Sequence, residues 1–278
     1  DELHFFIGKD GVFSSIFDFK QTMLGQEGKG WFDHALPTAD ELKESIFQAH
    51  ERADSIGVLS TIIENHDEPR GVSHYIAEGQ VNDTSKKALG TIQILRKGIP
   101  FIYQGQEIGM ENQVFESVED FDDIATINGY HVAKEAGLSE EEALAAIAKY
   151  SRDNARTPMQ WSSEPGLGFS DGPAWLISPK PDVAINVEDQ EKDPDSILNY
   201  YRQLTALYRH PLYGNTIRFG DMIPAYRDRE NIIAFERRGD KRLLVISNFQ
   251  NRQATLELPA PIKTVILNNV AGLFQEGD

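Results

Sequence analysis

Residues 57–70 read GVLSTIIENHDEPR, an apolar stretch that becomes polar within a few residues. Residues 57–64 are rich in β-branched side chains and run continuously rather than alternating, which is typical of a strand buried on both faces. Several ionisable side chains and one amide follow at residues 64–70. Because ligands bind at the carboxyl ends of the strands in parallel α/β folds, this segment predicts both the fold class and the place of a functional site.

Strand and helix patterns alternate on both sides of this segment. Residues 12–19 predict a short apolar strand, and residues 38–56 predict a helix that opens with a capping box. Residues 84–98 have an amphipathic helical pattern, and residues 99–105 predict the next buried strand. Repeated strand–helix–strand units imply parallel strands with the helices outside.

The chain changes character twice in its second half. Residues 111–195 predict a long loop with a single good helix at 138–151, and excursions of that length are usually functional. A strong helical pattern follows at 194–210. Residues 212–278 alternate and carry turn signals at short intervals, which predicts a small antiparallel β-domain after an α/β part at 1–211.

The composition excludes several classes of function. The chain has 278 residues with 27 basic and 44 acidic side chains, and its formal net charge is −17. That charge would repel a nucleic-acid backbone or an anionic membrane, so a small neutral or cationic substrate fits better. The absence of cysteine excludes disulfides, thiolate nucleophiles and cysteine-ligated metals. No apolar run of about 18 residues and no signal-peptide pattern occur, and we expect a cytoplasmic protein without a cofactor or a metal.

The polar residues after the apolar run have two interpretations. His66 can donate to a substrate hydroxyl, and Asp67 can place a fixed negative charge beside it. Alternatively, Asn65 and Asp67 only shape the turn before Pro69, and His66 is an ordinary surface histidine. Spacing alone does not separate the two.

A second polar cluster lies in residues 151–161, SRDNARTPMQW. Arg152, Asp153, Asn154 and Arg156 lie beside an aromatic residue there, and sugar sites combine aromatic surfaces with planar donors and acceptors. The alternative is an internal arginine–carboxylate pair that pins the loop. The alternative is stronger for Arg156 than for Arg152.

Three motifs in order resemble the α-amylase superfamily of glycoside hydrolases, family 13. They are IIENHDEPR at 62–70, GIPFIYQGQEIGM at 98–110 and RDNARTPMQW at 152–161. The third is similar to the branch that includes oligo-1,6-glucosidase, dextran glucosidase and other α-glucosidases. The resemblance implies an α/β fold, the C-terminal part of a (β/α)8 TIM barrel with about strands 6–8, followed by an antiparallel β-sandwich domain.

The resemblance also implies roles for three residues. Asp67 matches the carboxylate that stabilises the oxocarbenium-like transition state, and His66 matches the histidine that binds the glucosyl hydroxyls. Arg152 matches the arginine that helps to close the pocket around the non-reducing end. In such a retaining mechanism a nucleophile and an acid/base carboxylate flank the bond about 5 to 5.5 Å apart.

The resemblance covers only the C-terminal half of such an enzyme. The matching nucleophile and acid/base would lie before residue 1, and the β-domain would be truncated. We therefore expect this chain to need the N-terminal half of the barrel as its partner. Glu68 stands where many relatives have Gln, and Ala125 stands where some 1,6-cleaving relatives have Glu, which puts strict isomaltose-type specificity in doubt.

The sequence thus predicts a retaining α-glucosidase that hydrolyses terminal α-glucosidic bonds of short oligosaccharides. A sucrose isomerase or transglucosylase of the same family is one alternative, because the same glucosyl intermediate serves both outcomes. A non-catalytic homologue that acts as a binding or ancillary module is an alternative of another class.

Overall fold

A computed structural model describes residues 2–26, 28–176, 180–258 and 260–270. Its strands form one parallel sheet and one antiparallel sheet. The parallel strands are β1 (Ser15–Phe17), β2 (Val58–Thr61) and β3 (Ile99–Pro100), and the antiparallel strands are β4 (Asp221–Ala225), β5 (Ile232–Arg238) and β6 (Arg242–Asn248).

The α-helices of the described residues lie before, between and after these strands. They are α1 (Leu3–Phe6), α2 (Ala39–Ala53), α3 (Gly71–Tyr75), α4 (Asp83–Leu95), α5 (Ile124–Glu135), α6 (Glu140–Tyr150), α7 (Val187–Lys192), α8 (Ile197–Tyr208) and α9 (Gly214–Phe219). None of these described helices is long and apolar enough to cross a bilayer.

The parallel sheet has the strand order β1-β2-β3, with Ile16 opposite Leu59 and Ser60 opposite Ile99. This confirms the parallel strand–helix–strand prediction. The strands are shorter than predicted, and the expectation that β2 is buried on both faces is wrong at its start, where Val58 is exposed. Each of β1 and β3 has one edge without a hydrogen-bonded neighbour among the described strands. These three strands therefore do not form a closed barrel.

Helices α2 and α4 form where their sequences begin with good caps. Thr38 and Glu41 make the predicted capping box before α2, and Asn82 and Ser85 make another before α4. Both helices then bury apolar side chains in one core cluster. The caps satisfy backbone donors that a helix start leaves unpaired. The start of α2 was predicted from its box, whereas α4 was predicted from its amphipathic pattern alone.

The excursion at 111–195 is more helical than its sequence suggested. The predicted helix is present as α6, with its capping box at Ser139 and Glu142. The expectation of a long loop with one helix is wrong, because α5 and α7 also form there. Helix α5 has almost no apolar stripe and buries only Thr126 and Ala133, so periodicity could not reveal it.

The antiparallel sheet packs on the helices of the α/β part. Phe235 and Val245 share one core cluster with Phe47 of α2, Leu89 of α4 and Leu204 of α8. The described residues of the predicted β-sandwich provide this one three-stranded sheet. Residues 212–278 also contain α9, which was not predicted because a helix of this length is too short to show a stripe.

Candidate active site

A buried ion pair anchors the turn that follows β2. Glu64 and Arg70 are both fully buried, and Arg70 Nη1 lies 3.2 Å from Glu64 Oε1. Arg70 also donates to the carbonyl oxygens of Gln104 and Asn154, at 2.7 and 3.2 Å. One guanidinium therefore joins the segments after β2 and β3 to the segment after α6.

Gly105 makes room for that guanidinium. Its φ is +91°, a left-handed conformation that favours glycine. A Cβ at this position would lie 2.9 Å from Arg70 Nη1 and 2.5 Å from Met110 Sδ. Gly105 of the motif at 98–110 is thus explained by its backbone conformation and by the close approach of Arg70.

Between Glu64 and Arg70 the chain turns outward. The Asp67 backbone N–H donates to Asn65 Oδ1 at 2.7 Å, which forms an Asx-type turn. The Asp67 side chain is 52% exposed, and the His66 side chain is 71% exposed. Asn65 therefore shapes the turn, as one of the two interpretations expected, and the same turn presents His66 and Asp67 to solvent.

Three basic groups surround the Asp67 carboxylate. Arg152 Nη1 and Arg156 Nη2 both donate to Asp67 Oδ1 at 3.1 Å, and His66 Nε2 lies 3.2 Å from Oδ2. The structure thus brings His66, Asp67 and Arg152 together, although Arg152 is distant from the other two in sequence. A half-exposed carboxylate held by charged donors supplies a fixed negative charge with its outer side open.

Arg152 and Arg156 are held differently. Arg156 is 19% exposed, and its Nε donates to the backbone oxygen of His66 at 2.9 Å, so it also supports the turn. Arg152 is 34% exposed and donates to no backbone oxygen among the described residues. Arg156 therefore both pins the turn and donates to the Asp67 carboxylate. Arg152 is the more accessible donor.

Asp123 is a member of the cluster that the sequence interpretation missed. It is buried, and its Oδ1 accepts from Arg152 Nε at 2.7 Å and lies 2.6 Å from Arg152 Nη2. Burial opposes ionisation of Asp123, but hydrogen bonds from Arg152 and Thr126 outweigh it and lower the pKa of the carboxyl. The hydrogen bond to Asp123, with help from Asp67, raises the pKa of Arg152. The local signal was an N-cap pattern, with Asp123 three residues before Thr126.

The remaining polar residues of the second cluster are structural. Asp153 Oδ2 accepts the backbone N–H groups of Asp122 and Asp123, each at 2.9 Å. Asn154 Oδ1 accepts the N–H of Gln113 at 2.9 Å. Both side chains are fully buried, so they shape the loop and cannot contact a ligand in this arrangement.

Glu68 lies beside the cluster with an unusual titration. Burial raises its pKa to about 7, a hydrogen bond with Thr22 opposes this, and the charge of Asp67 adds to it. Near neutral pH the carboxyl is therefore partly protonated. In the described part of the chain, no group of three or more His, Asp and Glu side chains is arranged to hold a metal ion.

Comparisons of sequence find relatives over most of this chain. The family described as Alpha amylase, catalytic domain, matches residues 8–212. The chain is 37% identical over 249 residues to probable oligo-1,6-glucosidase 2 of Bacillus subtilis, an alignment that covers 88% of this chain and 44% of that protein. It is 34% identical over 264 residues to glucan 1,6-alpha-glucosidase of Streptococcus pneumoniae, with 93% and 48% covered. The chain thus spans about half the length of the curated relatives it matches.

Solved structures are similar over the same extent. Trehalose-6-phosphate hydrolase of Bacillus licheniformis matches with a TM-score of 0.84 at 32% identity, covering 94% of this chain and 48% of that one. Isomaltulose synthase from Klebsiella sp. LX3 matches with a TM-score of 0.81 at 31% identity, covering 90% and 45%. These neighbours are TIM-barrel enzymes, and the prediction of an α/β chain forming part of a (β/α)8 barrel is confirmed.

Proposed function

We propose that the complete protein is a retaining α-glucosidase acting on short oligosaccharides, because this chain belongs to the alpha-amylase family of glycoside hydrolases. The observation that carries the proposal is the arrangement around Asp67. Its half-exposed carboxylate is held by Arg152, Arg156 and His66, with its outer side open to a substrate. The oligo-1,6-glucosidase relatives support bonds of the α-1,6 type.

Each residue has a role in the proposal. Asp67 stabilises the positive charge that develops at the anomeric carbon, since an anion fixed before the reaction need not reorganise during it. His66 donates to glucosyl hydroxyls from its exposed ring. Arg152 uses its remaining N–H groups to contact the terminal sugar, which makes the enzyme act on chain ends.

The proposal places the nucleophile and the acid/base outside this chain. The other carboxylates within the Asp67 cluster, Asp123 and Asp153, are buried and accept hydrogen bonds from the protein itself. A double displacement needs two more accessible carboxyl groups. We therefore propose that the rest of the protein supplies them.

That missing part is also the proposed partner of the parallel sheet. Phe17, Val58, Ile99 and Phe101 are exposed on or beside the three described parallel strands. Exposed apolar side chains and unpaired strand edges are unfavourable in water, and further barrel strands would cover both. Co-expression of residues 1–278 with the preceding half should give a monodisperse complex, whereas residues 1–278 alone should aggregate and hydrolyse no glucoside.

The formal net charge of −17 also supports a small oligosaccharide substrate, because it would repel a nucleic acid or an anionic membrane. A cytoplasmic location is proposed with it. Cell fractionation of the native host tests the location.

A sucrose isomerase is the second candidate, supported by the likeness to the isomaltulose synthase structure. The deciding experiment incubates the full-length protein with isomaltose and with sucrose and follows the products by proton NMR. Glucose released from isomaltose supports the glucosidase, and isomaltulose formed from sucrose supports the isomerase. The anomer is followed with 4-nitrophenyl α-glucoside, whose aglycone is not glucose: initial release of α-glucose supports the retaining mechanism, and initial release of β-glucose contradicts it. Inactivity on all three substrates favours a non-catalytic binding module.

A further inference from the structure

The two oxygens of Asp123 serve different partners. Oδ1 accepts from Arg152 Nε at 2.7 Å and lies 2.6 Å from Nη2. Oδ2 accepts from the backbone N–H of Thr126 at 3.0 Å and from its hydroxyl at 2.8 Å, which caps α5. A carboxylate is the side chain that can accept on both sides at once.

Asp123 is itself held rigidly. It is buried, and its backbone N–H donates to the fully buried Asp153 carboxylate at 2.9 Å. The Thr126 hydroxyl lies 2.8 Å from Ser151 Oγ, and Ser151 directly precedes Arg152 in the chain. Helix α5 and the segment that carries Arg152 are therefore fastened together at this point.

This anchor leaves part of Arg152 available. A guanidinium has five N–H groups. Asp123 Oδ1 accepts from the Nε group and lies 2.6 Å from Nη2, and Asp67 accepts from Nη1. The remaining N–H groups of Nη1 and Nη2 have no partner among the described residues, so the side exposed to solvent keeps donors for a ligand.

We propose that Asp123 is a positioning residue that holds the Arg152 guanidinium beside Asp67, so that the first turn of α5 sets the direction in which Arg152 meets the sugar. The inference rests on the proposed function, in which Arg152 contacts the terminal glucosyl unit. An arginine held in advance loses little conformational entropy when the substrate binds. Without the anchor, the side chain must be ordered at each binding event.

The test uses the full-length protein and four variants, Asp123→Ser, Thr126→Val, Arg152→Ala and the Asp123→Ser/Arg152→Ala double variant. Serine is a good N-cap, so Asp123→Ser keeps the cap of α5 but removes the acceptor for Arg152. Thr126→Val is the matched control, because it disturbs the same buried cap and leaves Oδ1 of Asp123 unchanged. Rates on isomaltose give kcat and KM, and thermal melting gives the stability of each variant.

We expect Asp123→Ser to lower kcat/KM by up to about tenfold, no more than Arg152→Ala does, because Asp123 acts through the placement of Arg152. In the Arg152→Ala background the same substitution should change kcat/KM by less than about twofold, since two residues that act through one interaction are not additive. Thr126→Val should lower the melting temperature, and it should lower kcat/KM much less than Asp123→Ser does, because Oδ1 of Asp123 still accepts from Arg152.

Other outcomes overturn the inference in separable ways. If Arg152→Ala lowers kcat/KM and Asp123→Ser does not, the positioning role alone is wrong. An equal loss from Asp123→Ser in both backgrounds also overturns it, since Asp123 then acts independently of Arg152. If Arg152→Ala has no effect, the proposed sugar-binding role is wrong and the inference fails with it. Should Asp123→Ser fail to fold, Asp123→Asn replaces it in the same cycle.

Discussion

Two ion pairs at the carboxyl end of β2 each join a carboxylate to a guanidinium, yet they differ in accessibility. They are Glu64–Arg70 and Asp67–Arg152. Glu64 and Arg70 are fully buried, and Arg70 donates to three separate segments. Asp67 is 52% exposed and Arg152 is 34% exposed. The turn made by Asn65 moves the chain from the first environment to the second.

The difference shows how one polar segment can serve both stability and function. A buried charge pair is costly to break, because either partner alone would be left without its counter-charge in a medium of low polarity. An exposed pair contributes little to stability, because water screens it. In the proposed function the exposed carboxylate acts on the substrate, while the buried pair fixes the turn that holds it.

The largest expected effect is that of Asp67→Asn on turnover in the full-length protein. The substitution keeps the size and one acceptor oxygen but removes the charge needed when positive charge develops at the anomeric carbon. We expect kcat to fall by about 10³-fold or more, with little change in the melting temperature. Steady-state kinetics on isomaltose measure the loss, and retention of more than about a tenth of the wild-type kcat would remove Asp67 from the catalytic role.

The buried pair should respond in the opposite way. Arg70→Met leaves Glu64 buried without its counter-charge, and it should lower the free energy of unfolding by about 3–4 kcal/mol. Denaturant unfolding of the full-length protein measures this. Glu64→Gln/Arg70→Met is the matched control and should recover part of the loss, since no unpaired charge remains. A loss below about 1 kcal/mol in Arg70→Met would show that the pair does not anchor the turn.

Arg152→Ala and Arg156→Ala compare the two guanidiniums within the exposed cluster. Arg152→Ala should lower kcat/KM on isomaltose about tenfold and weaken the preference for isomaltose over longer dextrins, because the pocket around the terminal sugar is less closed. Arg156→Ala, unlike Arg152→Ala, should lower the melting temperature, because it removes the donor to the His66 carbonyl. If Arg152→Ala changes stability but not kcat/KM, Arg152 only pins the loop.

The sequence supported the parts of this structure that depend on local pattern. Helices α2 and α6 begin with capping boxes that adjacent residues predict, and α4 follows an amphipathic pattern. The polar segment 64–70 could be placed at a strand end because the preceding run is apolar. The family resemblance then predicted that Arg152 helps to close the pocket around the non-reducing end.

The parts that were not predicted depend on tertiary contacts. No residue adjacent to Arg156 in sequence indicates that its Nε donates to the carbonyl of His66. No residue adjacent to Arg152 in sequence indicates that Asp123 accepts from it. Asp153 and Asn154 are as polar as their neighbours, and only the packing of the loop decides that they point inward. Residue type predicted a cluster of charged groups, whereas burial separates its accessible members from its buried ones.

The smallest expected effect concerns Glu68, which directly follows Asp67 and is intermediate in exposure between the two pairs. Its pKa rises from 4.5 to about 7 on folding. Between these values the folded protein binds more protons than the unfolded chain, so the Glu68 contribution to stability falls as the pH rises, and the loss is complete above about pH 7. Glu68→Gln removes this dependence and should stabilise the full-length protein at pH 8 by on the order of 1 kcal/mol after allowance for solvent screening, but hardly at pH 5. Thermal melting at both pH values checks it, with the exposed Glu78→Gln as control; equal shifts for Glu68→Gln at pH 5 and pH 8 would contradict the raised pKa.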